Sequence, residues 1–286
     1  MFEVEEYARR VKANIDSWLL NYIEREYPPP LNERLKYAVS GGKRLRGILL
    51  VLIHDLNGGD GEVYDLAAAV EMAHSASLIH DDLADNAKER RNSDSFWARY
   101  GVDEAVTVPH ILISDALKIV GARGANLLAK VIDAWKKASL GQFYDISSYK
   151  GVHLVRYDVL ARLKSGEVFG ASCFLGAETA EKGLGEKAYS FGLHLGTAYQ
   201  AIDDAVSLLR REIDSGSTAL LIARYREDAL NRAFNLARKE LDEALRLADE
   251  VGGLRLREFV GRVLELMARE AGVHSSFILN RIALRK

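Results

Sequence analysis

Residues 71–92 read Glu-Met-Ala-His-Ser-Ala-Ser-Leu-Ile-His-Asp-Asp-Leu-Ala-Asp-Asn-Ala-Lys-Glu-Arg-Arg-Asn. The apolar residues leading in, Leu66, Ala67, Val70, Ala73, Ser77 and Leu78, recur near the helical period. Three carboxylates follow at Asp81, Asp82 and Asp85, and behind them come Arg90 and Arg91. On a helix, Asp81 and Asp85 lie one turn apart on one face, with Asp82 beside them. Three like charges on one turn repel one another, so packing alone gains nothing from them. A hard divalent cation relieves that repulsion, and Mg²⁺ is typically held by one or two carboxylates together with waters and substrate phosphates. A solvated acidic helix end is the competing explanation. The apolar run feeding straight into the acids, and the two arginines beyond, weigh against it.

Around this stretch the chain reads as helical throughout. Of its four prolines, three are consecutive at 28–30, and from Leu31 onward Pro109 stands alone. Few windows alternate apolar and polar residues, whereas periods near 3.6 recur. The pattern predicts helices over 3–26, 31–40, 43–56, 61–88, 103–121, 124–149, 155–181, 186–211, 217–249 and 253–284, the last two open to a break. Gly58-Gly59, Gly101, Gly151, Gly183, Gly185 and Gly252-Gly253 punctuate them. With no internal repeat or shift of composition, one all-α domain over residues 1–286 is the simplest organisation.

Hydrophobic residues make up 48% of the 286, enough for a large core. A net charge of −2 argues against a nucleic-acid binder. The lone Cys173 excludes an intrachain disulfide and reads as a small buried hydrophobe. Glu3, Glu5, Glu6, Arg9 and Arg10 do not make a signal or transit peptide. No uninterrupted apolar run is read as membrane-spanning. The expectation is a cytoplasmic protein that is not integral to a membrane.

Residues 41–47, Gly-Gly-Lys-Arg-Leu-Arg-Gly, open a helix with Lys43, Arg44 and Arg46 beside exposed backbone amides, a setting that suits a diphosphate. Together the DDxxD spacing, the preceding His-x-x-Ser-Leu-Ile-His, the Arg90-Arg91 pair and this Gly-Gly-Lys-x-x-Arg resemble the trans-isoprenyl diphosphate synthases. Farnesyl and geranylgeranyl diphosphate synthases belong to that family. The resemblance implies an antiparallel helical bundle of the class I isoprenoid synthase type around a central cavity, commonly homodimeric. It implies head-to-tail condensation of an allylic diphosphate with isopentenyl diphosphate, dependent on Mg²⁺, with three ions when substrate is bound. By the same resemblance Lys43, Arg46, His74 and Arg91 hold isopentenyl diphosphate and Arg90 contacts the allylic diphosphate. Asp81, Asp82 and Asp85 are then metal ligands. Lys164-Ser165, inside an apolar helix, is similar to the family's Lys-Thr pair and implies contact with an anion. Gly141-Gln142-Phe143-Tyr144-Asp145 resembles the family's Gly-Gln-x-x-Asp, although an ordinary polar helical turn explains it nearly as well.

The second acidic cluster is Tyr199-Gln200-Ala201-Ile202-Asp203-Asp204-Ala205-Val206-Ser207. The family pattern, Phe-Gln-x-x-Asp-Asp-x-x-Asp, implies metal contact by Asp203 and substrate contact by Gln200, with Ser207 where the last acid stands. The connection that follows, residues 208–218, is short and has no lysine where relatives carry one, and Arg210 or Arg211 is its substitute. Two further readings stay open here. A class I cyclase-like enzyme is suggested by Asp203 and Ser207, but its third position falls on Arg211, with Glu212 out of register. A non-catalytic partner subunit of a heteromeric synthase fits the departures but leaves the intact first motif unexplained. The basic tail Arg281, Arg285 and Lys286 is either a site cover or a solvated end.

Product length is expected to depend on what blocks the tunnel beneath Asp81. Ala73, Ala76 and Ser77 are all small, which predicts a product of C20 or longer and a shorter one when Ala76 becomes Phe.

Overall fold

The computed structural model describes residues 3–180, 183–211 and 215–270. Its helices are α1 (Val4–Glu26), α2 (Leu31–Val39), α3 (Leu45–Leu56), α4 (Tyr64–Ala84), α5 (Phe96–Tyr100), α6 (Val102–Arg123), α7 (Ala125–Tyr149), α8 (Tyr157–Ala161), α9 (Glu167–Ala180), α10 (Gly185–Arg210), α11 (Gly216–Tyr225), α12 (Ala229–Val251) and α13 (Gly253–Glu270). One hairpin, β1 (Glu89–Arg90) with β2 (Ser93–Asp94), is the only sheet among the described residues. The described residues form an all-helical bundle.

The stripes that predict helices are the stripes that pack. In α1, Val11, Ile15, Leu19 and Ile23 recur every four residues and are buried, and α12 buries Ala233, Ala237, Leu241, Ala244 and Ala248. Both faces belong to one continuous core that includes Leu49 and Leu52 of α3, Leu66 and Met72 of α4, Phe169 of α9 and Phe191 of α10. Helix α10 is buried along most of its length between α9 and α12. Nearly every element therefore shares one core.

Four predicted helices end or break elsewhere. The helix expected over 61–88 stops at Ala84, since Asn86 takes a left-handed φ of 54°. Arg91 (φ 55°) and Asn92 (φ 60°) then form a two-residue turn with positive φ at both centres, the hairpin type whose twist suits its strands. The Arg90-Arg91 pair of the opening motif thus lies on a hairpin, not on the helix. The start expected at 43 moves to Leu45, because Arg44 is left-handed (φ 54°). The stretch 155–181 is interrupted by a π-helical turn over Arg162–Gly166. The break allowed for in 217–249 occurs at Arg226 (φ 48°, ψ −120°). The end of the helix predicted to 284, and the basic tail, lie outside the described residues.

Among the described residues one helix, α6, is long and apolar enough to cross a bilayer by length and composition, although Asp115 and Lys118 interrupt its apolar run, as the sequence reading has it. Here it packs along α4 and α7, and Asp115 on it accepts a hydrogen bond from Tyr27 Oη at 2.7 Å.

Candidate active site

The ends of α3, α4, α7, α9 and α10 enclose a cavity of about 850 Å³. Asp81 and Asp85 of α4 line it, as does Asp203 of α10, which is exposed to it. Lys43, Arg46, His74, Arg90 and Arg91 line it as well, with Lys164, Ser165 and Gln200. Two acidic helix segments far apart in sequence and a cationic wall therefore share one space.

Asp82 is the exception. It is buried, does not line the cavity, and accepts from Arg90 Nε through both oxygens at 2.7 and 2.8 Å, with Arg90 Nη2 at 2.6 Å. One residue along a helix turns a side chain by about 100°, so Asp82 meets the hairpin while Asp81 meets the cavity. In this structure Asp82 positions Arg90; the metal role implied for it by resemblance has no cavity-facing oxygen to support it.

Asp81 has its pKa pushed up to about 6 by burial, with Lys164 and Arg90 opposing and Asp85 adding to the rise. Asp85, at the C-cap of α4, is raised by burial too. Acids held above their ordinary range, next to one another, are a place where an added cation lowers the energy. No three His, Cys, Asp or Glu side chains among the described residues come close enough to hold a metal by themselves. That donor set suits Mg²⁺, which takes one or two carboxylates and completes its shell with phosphate oxygens and water.

The cationic wall is built on the Gly41-Gly42 turn. Arg91 lies against it and donates to Ser40 O at 3.4 Å. Arg46 stacks over Phe169 at 4.7 Å and donates from Nη1 to His74 Nε2 at 3.0 Å. Burial, and then Arg46, push the His74 pKa well below its ordinary value, so the ring is the neutral acceptor. Arg44 turns inward instead: its Nε meets Asp16 Oδ1 at 2.7 Å, it donates to Val39 O, and Glu71 lies 3.8 Å away. Glu71 in turn accepts from Gly47 N at 2.8 Å and so pins the start of α3 to α4. Arg44 fastens the loop, while Lys43 and Arg46 line the cavity.

Across the cavity, Lys164 sits in the π turn and donates to Asp145 Oδ2 at 2.8 Å. Burial pulls its ammonium down, and Asp145 and Asp81 more than reverse this, keeping Lys164 charged. The turn is pressed onto α7 at Gly141, where a Cβ would lie 2.5 Å from Lys164 N. Ser165 donates to Gln200 Oε1 at 2.6 Å, and Gln200 Nε2 donates to Asp204 Oδ1 at 3.0 Å. Asp204 is buried and also accepts from Tyr157 Oη (2.8 Å) and Ser217 Oγ (2.7 Å). Burial lifts its pKa to about 7 against those hydrogen bonds.

The short connection after α10 leads into α11, whose first turn is clamped to the site. Asp145 Oδ1 accepts from Ser217 N at 2.7 Å. Gly216 is so near α7 that a Cβ would fall 1.7 Å from Asp145 O. Ser215 caps α11 and lines the cavity, together with Ser207. Arg210 and Arg211 are exposed and do not line it. The sequence reading gave Asp145 too little weight and passed over Glu71, Tyr157 and Ser217. The Gly-Gln-x-x-Asp spacing was the available signal for the first, and Ser215-x-x-Thr218 marked the α11 start.

Beneath the polar cavity lies a small apolar one of about 40 Å³, walled by Ala69, Val70 and Ala73 of α4 and by residues of α6, α7 and α9. Trp135 and Val168 line both. Ser77 faces the upper cavity and Ala73 the lower; Ala76 falls between their levels, is fully buried and lines neither.

A family model described as Polyprenyl synthetase matches residues 28–219. A hexaprenyl pyrophosphate synthase of Saccharolobus solfataricus is 31% identical over 230 residues, covering 79% of this chain and 80% of its own. A geranylfarnesyl diphosphate synthase of Methanosarcina mazei is 34% identical over 212 residues, covering 72% and 70%. Among solved structures, a geranyltranstransferase of Thermotoga maritima superimposes with a TM-score of 0.81 at 24% identity, covering 92% of this chain and 99% of that one.

Proposed function

The chain belongs to the polyprenyl synthetase family, and from that premise we propose that it condenses an allylic diphosphate with isopentenyl diphosphate, head to tail, giving a prenyl diphosphate of C20 or longer. It is a prenyltransferase. One observation carries this reading: acids from two helices and a cationic wall share a single cavity, with a small apolar cavity against it behind Trp135 and Val168.

The family generally uses a divalent metal. In this chain Asp81, Asp85 and Asp203 would hold Mg²⁺, and the finer part of the proposal is three ions with substrate bound. When bound, the metal supplies Lewis-acid stabilisation of the departing diphosphate. Lys164 and Arg90 add fixed positive charge at the same wall, where exclusion of water strengthens it. Lys43, Arg46 and Arg91 orient isopentenyl diphosphate, and neutral His74 directs the Arg46 fork. The allylic C–O bond breaks, the isopentenyl double bond attacks the resulting cation, and a proton leaves to the released diphosphate. No side-chain base is required. Val168 and Trp135 present apolar surface to the cavity that keeps water from the cation.

We also propose a cytoplasmic homodimer paired through α6 and α7, a reading supported by the exposed Val106, Ile132 and Leu140 on those helices. The test of function is incubation with Mg²⁺, isopentenyl diphosphate and dimethylallyl, geranyl or farnesyl diphosphate, followed by dephosphorylation and sizing. Elongated alcohols that vanish in Asp81→Ala establish the activity. Hydrocarbon from one allylic diphosphate alone overturns it in favour of a cyclase, and silence in favour of a partner subunit.

A further inference from the structure

The first turn of α11 joins two walls of the active-site cavity that lie far apart along the chain. Ser217, which is fully buried, makes the joint. Its backbone N–H donates to Asp145 Oδ1 of α7 at 2.7 Å, and its Oγ donates to Asp204 Oδ1 of α10 at 2.7 Å. Asp145 is 1% exposed and Asp204 2%, so both bonds lie away from water, where a hydrogen bond is strong and costly to lose.

Each of these carboxyls stands beside a group that faces the cavity. Asp145 Oδ2 accepts from Lys164 Nζ at 2.8 Å, and Lys164 lines the cavity. With Oδ1 held by the Ser217 amide, the Asp145 carboxylate is fixed in one orientation, and that orientation sets where the lysine holds its charge. Asp204 adjoins Asp203 on α10, and its bonds to Tyr157, Gln200 and Ser217 fix the turn from which Asp203 meets the same cavity. The amides of this turn of α11 are committed to the protein itself: Ser217 N to Asp145, and Thr218 N to Ser215 Oγ at 3.3 Å. The turn is therefore a fastening and not a cradle for phosphate.

On the prenyl-transfer reading, we propose that Ser217 is a positioning residue: it holds Lys164 through Asp145 and Asp203 through Asp204, so that the lysine and the acid meet one metal-bound diphosphate together. Ser217 does not line the cavity, and it acts through the two carboxyls.

The test is calorimetric titration of the full-length protein with inorganic diphosphate in the presence of Mg²⁺, which needs no turnover, set beside steady-state prenyl transfer. Ser217→Ala should weaken Mg²⁺-dependent diphosphate binding about tenfold, the scale of one lost hydrogen bond to a charged group. In turnover it should raise the half-saturating Mg²⁺ concentration and leave the KM for isopentenyl diphosphate unchanged, because Arg46 and Arg91 are placed by α3 and the hairpin. Ala219→Gly loosens the same helix without removing either bond, and should lower the melting temperature while diphosphate binds as in wild type. Ser217→Ala should add nothing to Asp204→Asn if the hydroxyl acts through that carboxyl. Wild-type diphosphate binding in Ser217→Ala, a loss that Ala219→Gly reproduces, or additive effects in the double variant each overturn the proposal. A wild-type protein that binds Mg²⁺ and diphosphate but elongates nothing fails the prenyl-transfer reading, and the binding data still decide the role of Ser217. Absence of Mg²⁺-dependent diphosphate binding by the wild type overturns both. The folding of each variant is checked by its circular dichroism.

Discussion

Placing a phenyl ring at successive levels of α4 should shorten the product in steps. At 1.5 Å of rise per residue, Ser77, Ala73 and Ala69 lie roughly 6, 12 and 18 Å below Asp81 along the helix. Three bonds of an extended backbone span about 3.5 Å, so the four main-chain bonds of an isoprene unit span about 5 Å. Ser77→Phe should then leave room for about one unit and Ala73→Phe for two or three. Ser77 and Ala73 are suitable sites because each lines a cavity. Ala76 is fully buried and lines neither, so Phe there would overpack the core by about 1–3 kcal/mol and confuse chain length with stability. The assay is single-substrate elongation with labelled isopentenyl diphosphate, the alcohols being separated by length. The expected order of product size is wild type, then Ala73→Phe, then Ser77→Phe. A wild-type distribution from Ala73→Phe, or a longer product from Ser77→Phe than from Ala73→Phe, would refute the placement of the shaft.

Other perturbations probe different joints of the site. Trp135 separates the 850 Å³ and 40 Å³ cavities, so Trp135→Ala should shift products longer; a lower melting temperature with unchanged products would reduce it to a core residue. Gly216→Ala puts a Cβ 1.7 Å from Asp145 O, and the forced shift of α11 should cost at least ~1–3 kcal/mol in urea unfolding, with loss of activity. An unchanged midpoint would contradict the clamp. Asp204→Asn tests linkage: the folded carboxyl keeps its proton up to about pH 7 and the unfolded one releases it near 3.8. The folded state thus binds more protons in that window, so wild-type stability falls as pH rises through it, by about 4 kcal/mol for ~3 pK units. The variant lacks this slope, and its advantage should grow from pH 4 to pH 8. Parallel unfolding profiles would show that Asp204 does not titrate in that range.

The bundle was legible because helix packing repeats a 3.6-residue rule over long stretches, and α1, α10 and α12 follow it. The departures sit where one or two residues decide. Arg91 and Asn92 accept positive φ without glycine, so nothing in their letters announces a hairpin. The π turn at Arg162–Gly166 alters the period over five residues only, too few to register in a hydrophobic pattern. Within the site, a helical wheel sets Asp81 and Asp82 apart but does not say which faces a ligand. Arg90, delivered by the hairpin, settles that by capturing Asp82. Arg44 and Arg46 are divided by the same kind of contact, one turned to Asp16 and the other to His74.

The departures around Ser207 take on a coherent form once α11 is in place. Asp204 spends its oxygens on Tyr157, Gln200 and Ser217, and Asp145 divides its own between Lys164 and the first turn of α11. Both carboxylates are thereby committed to holding the short connection against α7. On the proposed reading, Asp81, Asp85 and Asp203, which line the cavity, are the acids that would hold a cation. A third acid at position 207 would face a wall already closed by the capped start of α11, where Ser215 lines the cavity beside Ser207. A hydroxyl at 207 avoids adding a third acid next to Asp203 and Asp204, where burial already lifts the Asp204 pKa to about 7. Two buried carboxylates thus fasten the start of α11, and Ser207 lines the cavity beside it.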